Sequence, residues 1–246
     1  MADDLQPPRA APAGEPPPVG NERANADYFD AWTGYQQLVG SLDTYARTTR
    51  ALAGEFSGRM VDVGSGGVVN YGTERLTELV LVDISTEYLQ HVQLPAGARP
   101  VVGSATALPL RDAAHDCLLM QMLVHHLAER DYATTRLRVR TALREAARVL
   151  APGGRLVVLE SVVNPAFELA ERLAFPLTRR ALRLMGHPVV FQWTPASLEG
   201  FAREAGFTGI RRVRIPRGRW MIFLGRRWPT LLVPVSLVKI VAVKPA

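Results

Sequence analysis

The sequence predicts an α/β fold built on an open, mostly parallel sheet, and three observations carry that expectation. Short apolar runs at Met60–Val63, Leu79–Val82, Pro100–Val102, Cys117–Met122 and Arg155–Glu160 alternate with longer stretches of helical period such as Arg138–Leu150. The runs are apolar almost throughout, as strands are when helices cover both faces of their sheet. The first runs straight into Gly64-Ser65-Gly66-Gly67, and the second ends in Asp83 about 20 residues later, which is how an open sheet receives a nucleoside-containing ligand.

Taken in order, residues 1–22 are rich in Pro, Ala and Gly and open with Asp3-Asp4, not with the basic and apolar stretches of a signal peptide. They read as a disordered tail before one domain spanning 23–246. Tyr28, Trp32, Tyr35, Leu38, Val39, Leu42, Tyr45 and Leu52 recur at spacings of three and four, predicting one or two amphipathic leader helices. Pro152-Gly153-Gly154 stops the helix that passes through Glu145 and starts the fifth strand. Residues 161–193 then break the alternation. Leu169, Leu173, Leu177 and Leu184 line one helical face, Arg172, Arg179 and Arg183 another, and Pro176 interrupts the middle. This insertion leaves the edge where open sheets bind ligands, so it reads as a lid over a substrate. Thr194-Pro195-Ala196-Ser197 is an N-cap with proline at the first helical position, and Gly206 ends that helix. Thr208–Ile215 and Leu237–Val243 complete seven strands as an antiparallel pair at one edge, the last strand running against the rest.

The glycines narrow the ligand. Gly64 and Gly66 let the backbone turn sharply and let a ligand come close where a Cβ would intrude. A dinucleotide fingerprint would place a third glycine at position 69, which is Val69, and no phosphate-binding G-x-x-x-x-G-K-S/T occurs. What remains is a ligand with a ribose and no pyrophosphate.

Val61-Asp62-Val63-Gly64-Ser65-Gly66 resembles the first motif of the class I S-adenosylmethionine (SAM)-dependent methyltransferases. Val80-Leu81-Val82-Asp83, the segments Gly103–Asp112 and His115–Met120, Val124-His125-His126-Leu127 and Glu145–Glu160 follow in that family's order, so the likeness covers roughly residues 56 to 160. It implies a Rossmann-like fold with S-adenosyl-L-methionine as the cofactor. It further implies a cradle of Gly64, Ser65 and Gly66, with Asp62 orienting the turn and the cofactor's amino end. Asp83, followed by Ile84, would hold the ribose hydroxyls, Ser104 and the Ala105 N–H the adenine, and Gln121 with Met122 the methionine moiety. Two positions depart from the family: Val68 replaces a third glycine, and Ser104 stands where an acid is frequent. With the Gly64-to-Asp83 interval also short, the first helix is expected to be shortened or distorted, with a turn at Asn70-Tyr71-Gly72.

The cofactor brings the activated methyl group, so the protein must position an acceptor and take its proton. His125 is the candidate general base, since imidazole titrates near neutrality and the residue follows the end of the fourth strand. Of the adjacent pair His125 and His126, one is expected to point away; Tyr28, Tyr35, Tyr71 and His187 are alternatives. Two neighbouring histidines without nearby Cys or paired carboxylates do not make a metal site, so the chemistry is expected to be metal-independent.

The single cysteine, Cys117, sits in a strand run and reads as a buried thiol in a cytoplasmic protein. The net charge is +6, with arginine concentrated from Glu171 onward and Trp220, Phe223 and Trp228 interleaved. That balance fits a solvated surface, a peripheral membrane contact or an anionic acceptor. The apolar C-terminal stretch from Leu231 is too short and interrupted to span a bilayer, and suits a strand. The function expected is methylation of an oxygen or carbon of a small hydrophobic or amphiphilic molecule. The alternatives are an RNA-modifying methyltransferase, which the absence of a nucleic-acid module argues against, and a protein that binds SAM without transferring its methyl group.

Overall fold

The computed structural model describes residues 21–31, 42–85, 94–223 and 226–246. Most of the expected tail, and Trp32, Tyr35, Leu38 and Val39 of the expected leader, lie outside these residues. Two leader helices are described, α1 (Asn21–Ala31) and α2 (Asp43–Leu52). The first begins at Asn21, two residues inside the expected tail. Asn21 Nδ2 donates to Ala128 O (2.6 Å) and Asn25 Nδ2 to His126 O (3.0 Å), so side-chain amides fasten the helix to the body of the fold.

Seven strands make the main sheet: β1 (Gly58–Val63), β2 (Leu76–Asp83), β3 (Ala98–Val102), β4 (His115–Gln121), β5 (Leu150–Val162), β6 (Thr208–Ile215) and β9 (Ser236–Val243), in the order β3-β2-β1-β4-β5-β9-β6. All neighbours pair in parallel except β9, which is antiparallel to both β5 and β6. The last strand is thus not the rim but is inserted beside β5, which explains why its apolar run is buried. The rim is β6, whose Arg211, Arg212 and Arg214 are exposed, a charged border that discourages edge pairing. β7 (Trp220–Phe223) and β8 (Arg226–Pro229) form a separate two-stranded ribbon.

Apolar side chains bury both sheet faces. On one, Val61, Val80, Leu118 and Leu156 meet α3 (Tyr132–Val149) and α5 (Pro195–Glu204); on the other, Met60, Leu81, Leu119 and Val157 meet Leu52 of α2 and Tyr71. Cys117 is buried in the second layer, its Sγ donating to Ser57 O at 3.4 Å. The Thr194 cap expected from the sequence forms, accepting from Ser197 N (3.1 Å), and Asp131 and Asn164 cap two further helices, accepting from Thr134 N (2.8 Å) and Phe167 N (2.9 Å).

Two expectations change. The helix after β1 is absent, not shortened: residues 64–75 contain only turns and bends. Val68 and Val69 are β-branched and are followed by the turn-forming Asn70, so no local preference holds a helix there. Tyr71 instead folds back into the core, edge-on to Phe56 at 5.2 Å between ring centres. Pro176, in turn, does not interrupt the inserted segment, because α4 (Pro165–Leu184) runs straight through it. Pro176 is exposed on that helix, while Phe175 and Leu182 are buried on its other side and hold it down.

Candidate active site

β1 ends at Val63 and the chain turns on Gly64, Gly66 and Gly67, all with positive φ (71°, 50° and 68°), a region that side-chain-bearing residues rarely enter. A Cβ on Gly64 would also meet Leu123 Cδ1 at 2.7 Å. The bend is tied to β2 by Gly64 N–H to Val82 O (2.7 Å) and pinned by Asp83, whose Oδ2 accepts from Gly66 N (2.8 Å) and whose Oδ1 accepts from Ser85 N (2.9 Å). Asp83 therefore joins two backbone segments, including the local cap that an aspartate ending a strand readily makes. Ser65 Oγ accepts from Gly67 N at 3.3 Å.

The bend opens into a cavity of about 300 Å³. Ten of the eleven residues singled out from the sequence for cofactor and proton transfer line it: Asp62, Gly64, Ser65, Gly66, Asp83, Ile84, Ala105, Gln121, Met122 and His125. Ser104 is the exception. Its hydroxyl is taken up by Glu22 of α1 and by Thr106 (2.9 Å), and it is Glu22 that lines the cavity. Glu22 is also paired with Arg138 at 2.5 Å. The leader thus delivers a carboxylate beside a position where the sequence offers only a hydroxyl; an isolated Glu in a polar helix gave no sign of it.

Asp62 is almost fully buried. One carboxylate oxygen accepts from the Tyr71 hydroxyl at 2.7 Å, while the other, Oδ1, is buried without a partner. Burial, reinforced by the charge of Asp83 and opposed by the Tyr71 bond, pushes its carboxyl up to about 7. Tyr71 is driven well above the ordinary phenol by burial and by the adjacent carboxylate. At the end of β4 the backbone is strained: Met122 has φ of 53°, and the chain then enters a short 3₁₀ turn, Val124–His126. Gln121 Oε1 is a second buried oxygen without a partner on the wall.

The turn places both histidines on the cavity, with ring centres 4.0 Å apart. That corrects the expectation that one points away, which holds for adjacent residues of a strand and not for a tight helical turn. His125 Nδ1 lies 2.7 Å from Glu160 Oε1. Glu160, near the end of β5, is fully buried and also accepts from the backbone N–H groups of Val124 (2.7 Å), His125 (3.3 Å) and Ser161 (2.7 Å). A carboxylate so placed fixes the imidazole with Nδ1 as the donor and leaves Nε2 able to take a proton. Burial and the neighbouring His125 push His126 well below the usual imidazole range, so it stays neutral. Among the alternatives, Tyr28 and His187 also line the cavity, with ring centres 6.1 Å apart, Tyr71 serves Asp62, and Tyr35 lies outside the described residues. Among the described residues no group of three or more His, Cys, Asp or Glu could hold a metal ion.

The segment after β5 forms a further part of the wall through Leu182, His187, Pro188, Val190 and Gln192. It is braced by two carboxylates of α4: Glu168 accepts from Thr194 N (2.6 Å) and Glu171 from Gln192 N (3.1 Å). Burial pushes Glu171 up to about 7 against the lowering effect of that bond, and Glu168 adds repulsion.

The methyltransferase domain family matches residues 61–158, which run from β1 through the glycine bend and His125 into β5. With the chain's own motifs, that match supports a class I SAM-dependent methyltransferase. It is 28% identical over 180 residues to the demethylmenaquinone methyltransferase of Mycobacterium tuberculosis, covering 70% of this chain and 69% of that protein. With the ubiquinone/menaquinone biosynthesis C-methyltransferase UbiE of Klebsiella pneumoniae it shares 23% identity over 192 residues, 73% of this chain and 67% of the relative. Among solved structures, the methyltransferase in complex with the Trm112 methyltransferase activator of Haloferax volcanii superposes with a TM-score of 0.65 at 18% identity, covering 90% of this chain and 97% of that one. The enzyme's cofactor is accordingly S-adenosyl-L-methionine. The cavity fits it: the unpartnered oxygen of Asp62, on a residue that lines the cavity with the glycine bend, lacks a donor that an ammonium group supplies.

Proposed function

We propose that this methyltransferase acts on a carbon or oxygen of a small hydrophobic or amphiphilic acceptor, with His125 taking the acceptor's proton and Glu160 positioning His125. The observation that carries this is the His125–Glu160 pair, at 2.7 Å, on the wall of the cavity that the glycine bend also lines. When bound, S-adenosyl-L-methionine supplies an electrophilic methyl group on a sulfonium. The rest of the work falls to the chain. Gly64, Ser65 and Gly66 seat the cofactor, Asp83 accepts from its ribose, Asp62 and Gln121 receive its amino-acid end, and Ile84, Ala105 and Glu22 flank its base. His125 Nε2 accepts the proton from an acceptor hydroxyl or activated C–H, and Glu160 stabilises the resulting imidazolium.

The aliphatic residues facing these groups, Leu123, Leu182, Val190, Met221, Val235 and Leu237, support an apolar acceptor. The two quinone-pathway relatives support the same class and, for UbiE by its name, transfer to carbon. The inserted segment 161–193, contributing a wall beyond the strand ends, supports its reading as the substrate lid. The test is to incubate the purified protein with methyl-labelled cofactor and a panel of lipophilic phenols and quinols, following label transfer by mass spectrometry. Transfer that collapses in His125→Ala with cofactor affinity unchanged is the expected result. Cofactor binding with no transfer to any acceptor would favour a protein that uses the fold for another purpose.

A further inference from the structure

The helix that walls the cavity on its inside is apolar on its outside. Leu169, Leu173, Leu177 and Leu184 of α4 are 55%, 75%, 74% and 80% exposed, on one face that also carries Pro176 and Arg180. Four leucines turned to solvent along about four turns are unusual on a monomer's surface and mark a contact. A second apolar point lies alongside. The turn after β8 exposes Leu231 (91%) and Leu232 (69%), and the ribbon beside it half-exposes Trp220 and Trp228. A small cluster of Val163, Phe167, Met221 and Val233 holds the start of α4 against this ribbon.

The charge on the helix identifies what the face meets. Every charged residue of α4 that is exposed is an arginine (Arg172, Arg180, Arg183), whereas both its carboxylates, Glu168 and Glu171, turn inward to brace the cavity wall. A second copy of the chain docked on this face would set arginine against arginine. A surface that is apolar within and anionic at its border complements it. No helix among the described residues is long and apolar enough to cross a membrane, so the contact is with a membrane's surface. We propose that the outer face of α4, with the Leu231-Leu232 turn, docks on a lipid bilayer bearing anionic headgroups. The elements that carry the face also wall the cavity, through Leu182, Met221 and Val235, so docking sets the acceptor site against the lipid. That last step rests on the acceptor being amphiphilic; the docking itself does not.

Sedimentation with vesicles tests it without acceptor or turnover, so failure of the methyl-transfer proposal leaves the result standing. The full chain should partition to phosphatidylcholine vesicles containing phosphatidylglycerol at least about tenfold better than to phosphatidylcholine alone, and added salt should weaken the binding. Leu169→Gln/Leu173→Gln/Leu177→Gln and, separately, Arg172→Gln/Arg180→Gln should each lower partitioning about tenfold or more, with circular dichroism and cofactor affinity unchanged to show the fold is intact. Equal partitioning of wild type and both variants, or none by wild type, overturns the proposal. So does a wild-type dimer in light scattering that the leucine substitutions dissolve while vesicle binding is unaffected, since the face would then be closed by a second copy.

Discussion

The state of Asp62 should make cofactor binding depend on pH. Its carboxyl is pushed up to about 7, chiefly by burial, and its Oδ1 faces no donor among the described residues. If the ionised form is the one that receives the cofactor's ammonium, the fraction ready to bind is about one eleventh at pH 6 and about one half at pH 7. Affinity should then rise about fivefold over that unit, or about 1 kcal/mol, below the range in which the ligand's own α-amino group loses its proton. At pH 6 binding should release close to one proton, read by titration calorimetry as a dependence of the observed enthalpy on the buffer's ionisation enthalpy. Asp62→Asn should bind more weakly and lose both the slope and the proton release. Glu171→Gln should keep both, although Glu171 is also pushed up to about 7, because its contact is to Gln192 and not to Asp62. Equal wild-type affinity at pH 6 and pH 7 with no proton release would remove Asp62 from the cofactor site.

Other outcomes follow from the same geometry. His125→Ala should slow turnover by about 10²–10⁴ at saturating cofactor, and Glu160→Gln should shift the pH profile of turnover as well as its rate, since it changes what holds Nδ1; an unaltered rate in the first would remove the proposed base. Asp83→Ala should weaken the cofactor in calorimetry, and unchanged affinity would refute its part in ribose binding. Gly64→Ala meets both a φ of 71° and a 2.7 Å contact to Leu123, so the melting temperature should fall by an amount equivalent to about 1–3 kcal/mol. For Glu171, a folded value raised above the unfolded one means that the unfolded chain binds fewer protons, so stability is lost as pH rises from the ordinary glutamate range through about 7. Glu171→Gln should recover on the order of 1–3 kcal/mol at pH 8 and nothing at pH 4, followed by thermal unfolding.

The parallel strands were legible because each is a run of apolar residues closed by a polar or glycine stop, and the cofactor turn because few sequences other than Gly64-Ser65-Gly66-Gly67 satisfy three positive φ angles in four residues. Other features depend on contacts that no local pattern encodes. The leucine spacing of α4 defines a face, but periodicity does not say whether that face meets core or solvent. Glu160 lies 35 residues from His125 in sequence and meets it only because β4 and β5 are neighbours. Glu22 reaches Ser104 across 82 residues through the docking of a helix with little apolar character of its own. The missing helix after β1 was half visible in Val68 and Val69, and its replacement by an inward-facing tyrosine was not.

That replacement changes what the β1–β2 connection tolerates. An ordinary crossover helix would stiffen the glycine bend from within and could not be trimmed without moving β2. Here rigidity is lent from elsewhere, by Asp83 across the bend and by Tyr71 reaching back to Asp62. Residues 72–75 lead into the start of β2, at the end of the sheet away from the bend, where Arg75 O accepts from Gly58 N (3.0 Å), so a change of length there bears on the pairing of β1 with β2 and leaves the bend alone so long as Tyr71 keeps its reach.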